Sequence, residues 1–208
     1  MRKWVLPILE EWHVILKERN QQMGKISQKD PTQWFPMPAV LITSQPKEGS
    51  ANIMGLGYIG FSCWDPPILY LGMNTARYST EVIKTTEEFV VNVPEPNYVL
   101  NMDYCGFVSG INNDKITEAG FTPLKASIVS APLIKECPLN IECKLKKIIP
   151  LGSHEMFIGE VVATHVDEEY VNGGKQFVPI ILLSRKYLAL KEFICNFGES
   201  AGNPPDIE

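Results

Sequence analysis

From residue 74 to residue 80 the chain reads Asn-Thr-Ala-Arg-Tyr-Ser-Thr, one arginine among small hydroxyl and amide side chains, just ahead of a helical pattern. That combination suits a phosphate. The free N–H groups of a first helical turn point at an anion, and the helix dipole adds about half a positive charge there. A guanidinium contributes a charge-assisted hydrogen bond. The same residues also suit a plain helix cap, with Thr75 or Ser79 accepting N–H bonds and Arg77 solvated. Context favours the anion. Gly55, Gly57 and Gly60 lie inside a strand pattern, Asn52 to Cys63, and glycine weakens a strand unless the backbone must bulge or approach a ligand closely.

A second cluster runs from Cys105 to Gly110 and on to Asp114-Lys115. It supplies small residues, the Ser109 hydroxyl and the Lys115 ammonium, fit either for another part of the same ligand or for a loop with a surface Asp–Lys pair. Of the histidines, His13 falls in the N-terminal helical pattern, and His154 opens a strand as a candidate proton donor or substrate contact. His165 lies eleven positions further on. Strict alternation sets the last two on opposite faces, with no acidic partner at ligand spacing, so no metal is assigned. The five cysteines are odd in number and include no Cys-x-x-Cys, which argues against both a disulfide framework and a structural zinc. Reduced thiols in a reducing compartment follow. No nucleophile elbow, Walker sequence, Rossmann fingerprint or zincin motif is present.

These candidates need elements to hold them. Val5, Ile8, Leu9, Trp12 and Leu16 recur at helical spacing opposite Lys3, Glu10, Lys17 and Glu18, an amphipathic N-terminal helix. A polar linker follows to Pro36. Strands are expected at Pro38–Thr43, Asn52–Cys63, Pro67–Met73, Phe89–Val93, Ser127–Leu133, Leu139–Ile149, Met156–Val166 and Pro179–Leu183, from their β-branched and alternating patterns. Asp65-Pro66-Pro67 is a hard turn. Helices are expected over Tyr78–Glu88, within Asn97–Gly110, over Asp114–Ala119 and over Tyr187–Phe193. Closely spaced strands with few inserted helices describe a mainly β chain, an antiparallel barrel with peripheral helices. The expected division is residues 1–36 as helix and linker, 37–195 as the barrel domain and 196–208 as a tail.

A net charge of −5 with no basic stripe excludes nucleic acid as main partner. No stretch of about 18 uncharged apolar residues offers a membrane span, and no signal peptide is visible, so a cytoplasmic protein is expected.

Taken together, the chain resembles the flavin reductase-like family of FMN-binding split barrels, and within it the flavoredoxin group. The matching residues are Pro38–Thr43, Asn52-Ile53-Met54, Asp65-Pro66-Pro67, Asn74-x-x-Arg77-Tyr78-Ser79, Glu88–Asn92 and Ser109-Gly110-x-x-x-Asp114-Lys115. Glu118–Phe121, Ala131-Pro132-Leu133, Glu142-Cys143 and Ser153-His154-x-x-Phe157–Val161 continue the series in order. The resemblance implies an antiparallel split β-barrel homodimer with one FMN per subunit near the interface. It implies NAD(P)H as electron donor, with free flavin, ferric iron or a protein partner as acceptor; an electron-transfer protein reduced only by a partner is the alternative. It further implies that Asn74, Arg77, Ser79 and Thr80 hold the phosphate, with Ser109 and Lys115 as further contacts. Asn52, Ile53 and Met54 would face the isoalloxazine edge, and His154 the nicotinamide or substrate side. Gly55-Leu56-Gly57 departs from the family pattern where relatives carry hydroxyls.

Overall fold

The computed structural model describes residues 24–190; the expected N-terminal helix and the tail lie outside them. The chain divides into two compact units, Met1–Phe35 and Pro36–Glu208. In the first, residues 31–33 form a single 3-10 turn capped by Asp30, which accepts from Thr32 N at 3.0 Å.

The second unit is built on a seven-stranded sheet, every neighbouring pair antiparallel. Its strands are β2 (Val40–Ser44), β3 (Asn52–Leu56), β4 (Ile59–Cys63), β5 (Ile68–Asn74), β6 (Glu88–Val93), β9 (Leu139–Pro150) and β10 (His154–Val166), in spatial order β3-β2-β6-β9-β10-β5-β4. Two short pieces accompany it. β1 (Met37–Pro38), β11 (Ile180–Leu183) and β12 (Lys186–Ala189) make a three-stranded sheet, and β7 (Pro123–Leu124) pairs with β8 (Leu133–Ile134). The helices are α1 (Tyr78–Thr86), α2 (Val99–Phe107), α3 (Lys115–Glu118) and α4 (Glu168–Val171).

The side-chain period of two explains where the core lies. Val40 and Ile42 of β2 point into the sheet's concave interior with Leu69, Leu71 and Met73 of β5, Phe89, Val91 and Phe157. Leu41, with Ala39 before it, points the other way, into a second core with Met102 and Cys105 of α2, Ile116 and Phe121. β2 is thus buried on both faces, which is why its sequence is an unbroken apolar run. α2 covers the outer face of β2 and β3.

Two knots of hydrogen bonds satisfy buried polar side chains inside this body. The Asn92 side chain donates to Thr43 Oγ1 at 3.1 Å and accepts from Ile134 N at 3.0 Å and Asn140 Nδ2 at 2.8 Å, tying β8 to the sheet. The fully buried Glu142 carboxylate accepts from the backbone N–H groups of Ser127, Ile128 and Val129 at 2.7–2.9 Å and lies 2.7 Å from His165 Nε2. Burial alone would push this carboxyl up, but the bonds from Ser127, His165 and Val129 outweigh it and hold it down at about 2.

Three expectations need correction. Residues 127–132 form no strand; their N–H groups are spent on Glu142 and, at Ser130, on Glu88. Tyr187 opens no helix: Lys186–Ala189 returns as β12 against β11, through Ser184-Arg185, both at positive φ (51° and 59°). That is the backbone twist a two-residue hairpin demands, and its usual Asn-Gly signature is missing here. His165 does have an acidic partner, Glu142, from the neighbouring strand β9.

Candidate functional site

Asn74 ends β5, and its short side chain organises the loop into α1. Its Oδ1 accepts from Ala76 N at 2.9 Å, while its carbonyl accepts from Arg77 N at 3.1 Å and from Thr80 Oγ1 at 2.7 Å. Thr75 N reaches Ser153 O across the rim at 3.4 Å. Arg77 then stands at the cap position of α1 in an extended conformation, exposed, and no side chain caps the helix start. The plain-cap account of Thr75 and Ser79 is therefore not realised. The Thr80 N–H is spent on the Arg77 carbonyl at 3.0 Å, which leaves the N–H groups of Tyr78 and Ser79 for an anion beside the guanidinium.

Three elements meet behind this loop. The buried Asn52, first residue of β3, donates its Nδ2 to Ser79 Oγ at 2.7 Å. Gly110, after α2, packs so close that a Cβ there would fall 2.0 Å from Asn52 Oδ1 and 3.2 Å from Tyr78 Cδ1. Lys115, at the start of α3, is buried and donates to the Cys105 carbonyl at 3.1 Å. Burial pulls its ammonium down to about 8; the nearby Cys105 opposes this shift and the Arg77 charge adds to it. Burial raises the Cys105 thiol to about 11 despite Lys115, so it stays protonated and takes no nucleophilic role at neutral pH.

A groove of about 170 Å³ opens from Arg77 along Gly55, Leu56 and Gly57 to Met102, Gly106 and Phe107. Leu182 and Tyr187 of the β11–β12 hairpin close its far side. The Tyr187 hydroxyl donates to Asp103 Oδ1 at 2.8 Å, and burial first, then Asp103, pushes it up to about 12. Neither residue was legible as part of a site, because the hairpin that brings them there lacks its usual turn residues.

The structure sorts the remaining candidates. Ile53 and Met54 are buried in opposite cores, so only their backbone remains for a ligand, on a strand that ends the sheet. Thr80 is fully buried and its hydroxyl is committed to Asn74 O, which makes it a brace for the loop. Ser109 accepts from Ile111 N at 3.3 Å and shapes the turn toward Gly110. Gly55 has a packing reason: a Cβ there would lie 2.9 Å from Met102 O and 3.2 Å from Gly106 Cα, where α2 crosses β3. His154 sits on the same rim, paired with Asn74 across the β5–β10 ladder. Its Nδ1 lies 2.9 Å from Ser153 Oγ, and its ring meets Tyr58 edge-on at 5.4 Å. Among the described residues no group of His, Cys, Asp and Glu could hold a metal ion.

The flavin reductase like domain model matches residues 32–191. The chain belongs to the flavin reductase-like family. Its split-barrel fold is shared with the flavoredoxin of Desulfovibrio vulgaris (Miyazaki F), 32% identical with a TM-score of 0.78, over 86% of this chain and 100% of that one. The flavoredoxin of Methanosarcina acetivorans is also 32% identical, with a TM-score of 0.76 over 86% of this chain and 97% of its own. A protein of Archaeoglobus fulgidus is 31% identical over 134 residues, 64% of this chain and 75% of that one. Within this family frame the barrel is open: β3 and β4, the two ends of the seven-stranded order, are not paired with each other.

Proposed function

We propose that this member of the flavin reductase-like family is an FMN-binding oxidoreductase that takes electrons from NAD(P)H. One observation carries the reading. Arg77 lines a groove bordered by Gly55 and Gly57 and stands at the uncapped start of α1, and the buried Lys115 ammonium lies within reach of its charge. This donor set matches a phosphate monoester in charge and in hydrogen-bonding chemistry. When bound, FMN supplies the electron carrier between NAD(P)H and an acceptor such as free flavin, ferric iron or a protein partner.

The chain's own residues bind and orient. Arg77 pairs with the phosphate, and the N–H groups of Tyr78 and Ser79 and the Ser79 hydroxyl complete its cradle. Asn74 and Thr80 hold the loop in shape. The backbone of β3 borders the ring, and His154, steadied by Ser153 and Tyr58, faces the nicotinamide or substrate side. The groove's 170 Å³ falls short of the roughly 300–1,000 Å³ of common ligand sites. It suits the phosphate end of FMN, and a homodimer in which a second subunit covers the ring accounts for the remainder. Among the described residues no helix is long and apolar enough to cross a membrane.

The test is spectroscopic. The purified protein should bind FMN, quench its fluorescence and lose the visible absorbance of the oxidised flavin on addition of NADH or NADPH. Failure to take up FMN would sink the reading. FMN uptake without bleaching by either nucleotide would favour a flavoredoxin-type carrier reduced by a protein partner.

A further inference from the structure

Asn52 is expected at the flavin ring from the family resemblance, yet its side chain faces elsewhere. Its Nδ2 donates to Ser79 Oγ at 2.7 Å, and only 4% of the residue is exposed. A hydroxyl that accepts along one lone pair keeps its own proton for a second partner. Ser79 lies in the first turn of α1, two residues beyond Arg77. We propose that Asn52 is a positioning residue for the phosphate: by donating to Ser79 Oγ it fixes the serine as a donor toward the anion. This rests on the FMN reading and gives Asn52 a place in it other than the isoalloxazine edge.

Two further observations support the assignment. Gly110 comes up on the other side of the amide, so close that a Cβ there would overlap Asn52 Oδ1 at 2.0 Å. The amide thus lies between the glycine and the serine it donates to. Ser44, directly opposite Asn52 in the β2–β3 ladder, has a fully buried hydroxyl with no hydrogen-bond partner among the described residues. Paired residues of an antiparallel ladder share a face, so the unpartnered hydroxyl lies on the same face of the sheet as the amide.

The polarity makes the inference testable by an isosteric change. In Asn52→Asp a carboxylate replaces the donor, and the Ser79 proton turns inward to it, away from the ligand. In Asn52→Ala the hydroxyl is left without orientation. FMN and riboflavin, which differ only by the phosphate, serve as paired probes in fluorescence-quenching titrations of the full chain, with circular dichroism to verify folding. Asn52→Ala should weaken FMN about tenfold and Asn52→Asp more, while riboflavin affinity stays within about twofold. Asn52→Ala added to Ser79→Ala should cost FMN affinity nothing further. Equal losses for both flavins, or additive losses in the double variant, would overturn the inference and return Asn52 to the ring. A native chain that binds neither flavin would instead overturn the FMN reading on which the inference stands. If Asn52→Ala does not fold, the isosteric Asn52→Asp and the Ser79→Ala background still separate these outcomes.

Discussion

Lys115 Nζ donates to the carbonyl oxygen of Cys105 at 3.1 Å, so a buried ammonium sits against the last turn of α2 while remaining within reach of the Arg77 charge. A cation there complements the helix C-terminus. The lysine, read from sequence as a ligand contact or a surface pair, thus has a structural partner as well as an electrostatic one.

Its lowered pKa has a sign that can be checked. Below about 8 Lys115 is charged and adds to the field of Arg77; above it the charge is lost as pH rises. A phosphate monoester becomes dianionic above about pH 6. FMN affinity is therefore expected to be highest from about pH 6 to 8 and to fall as the pH is raised further. Lys115→Met should abolish that alkaline fall, measured by quenching titrations across the pH range. A native profile flat to about pH 9.5, roughly one unit short of free lysine, would refute the coupling.

Arg77→Ala removes the exposed guanidinium without touching either core. The cost in FMN binding should be about 1.5–3 kcal/mol, the range for hydrogen bonds to charged groups. Riboflavin binding should be indifferent to the change. Unchanged FMN affinity would leave Arg77 a solvated residue at a helix start.

His154→Ala should raise KM for the nicotinamide coenzyme about tenfold, roughly 1.4 kcal/mol, with FMN affinity unaltered. The ring's supports, Ser153 and Tyr58, place it on the rim and not in the groove. Steady-state kinetics beside an FMN titration separates the two effects. A joint loss would place His154 within the flavin site.

Glu142 predicts acid lability. Its folded pKa, about 2, lies below its ordinary value of 4.5, so the carboxylate contributes stability that is present above pH 4.5 and lost as the pH falls toward 2. The contribution is on the order of 3 kcal/mol. Glu142→Gln turns an acceptor into a donor against the N–H groups of Ser127, Ile128 and Val129, and should cost a similar amount at pH 7. Denaturant midpoints from pH 7 to 2 measure both. A variant with the native acid profile would rule this clamp out.

The strands that alternate or run apolar were legible because burial writes its period into the sequence: β5 shows Leu69, Leu71 and Met73 inward, and β2 shows its burial on both faces. Residues 127–132 misled because Val129 and Ala131 supply strand-like side chains while the N–H groups that a strand would spend on a neighbour go to a carboxylate. The loop from Asn74 to Ser79 was legible as a local pattern. The surroundings of Asn52 were not, since they depend on Gly110 and Ser79, which only the folded chain brings beside it. Gly55 was half-legible: a close approach was foreseen, but the approaching group is the backbone of α2.

The two unpaired ends of the sheet, β3 and β4, are consecutive in the chain and separated only by Gly57 and Tyr58. The gap in the barrel is thus bridged by covalent bonds where a closed barrel would have a hydrogen-bonded seam. Gly57 lies in the groove beside Arg77, and Tyr58 touches His154. Two adjacent residues therefore join the groove to the histidine, a separation that a longer connection would widen.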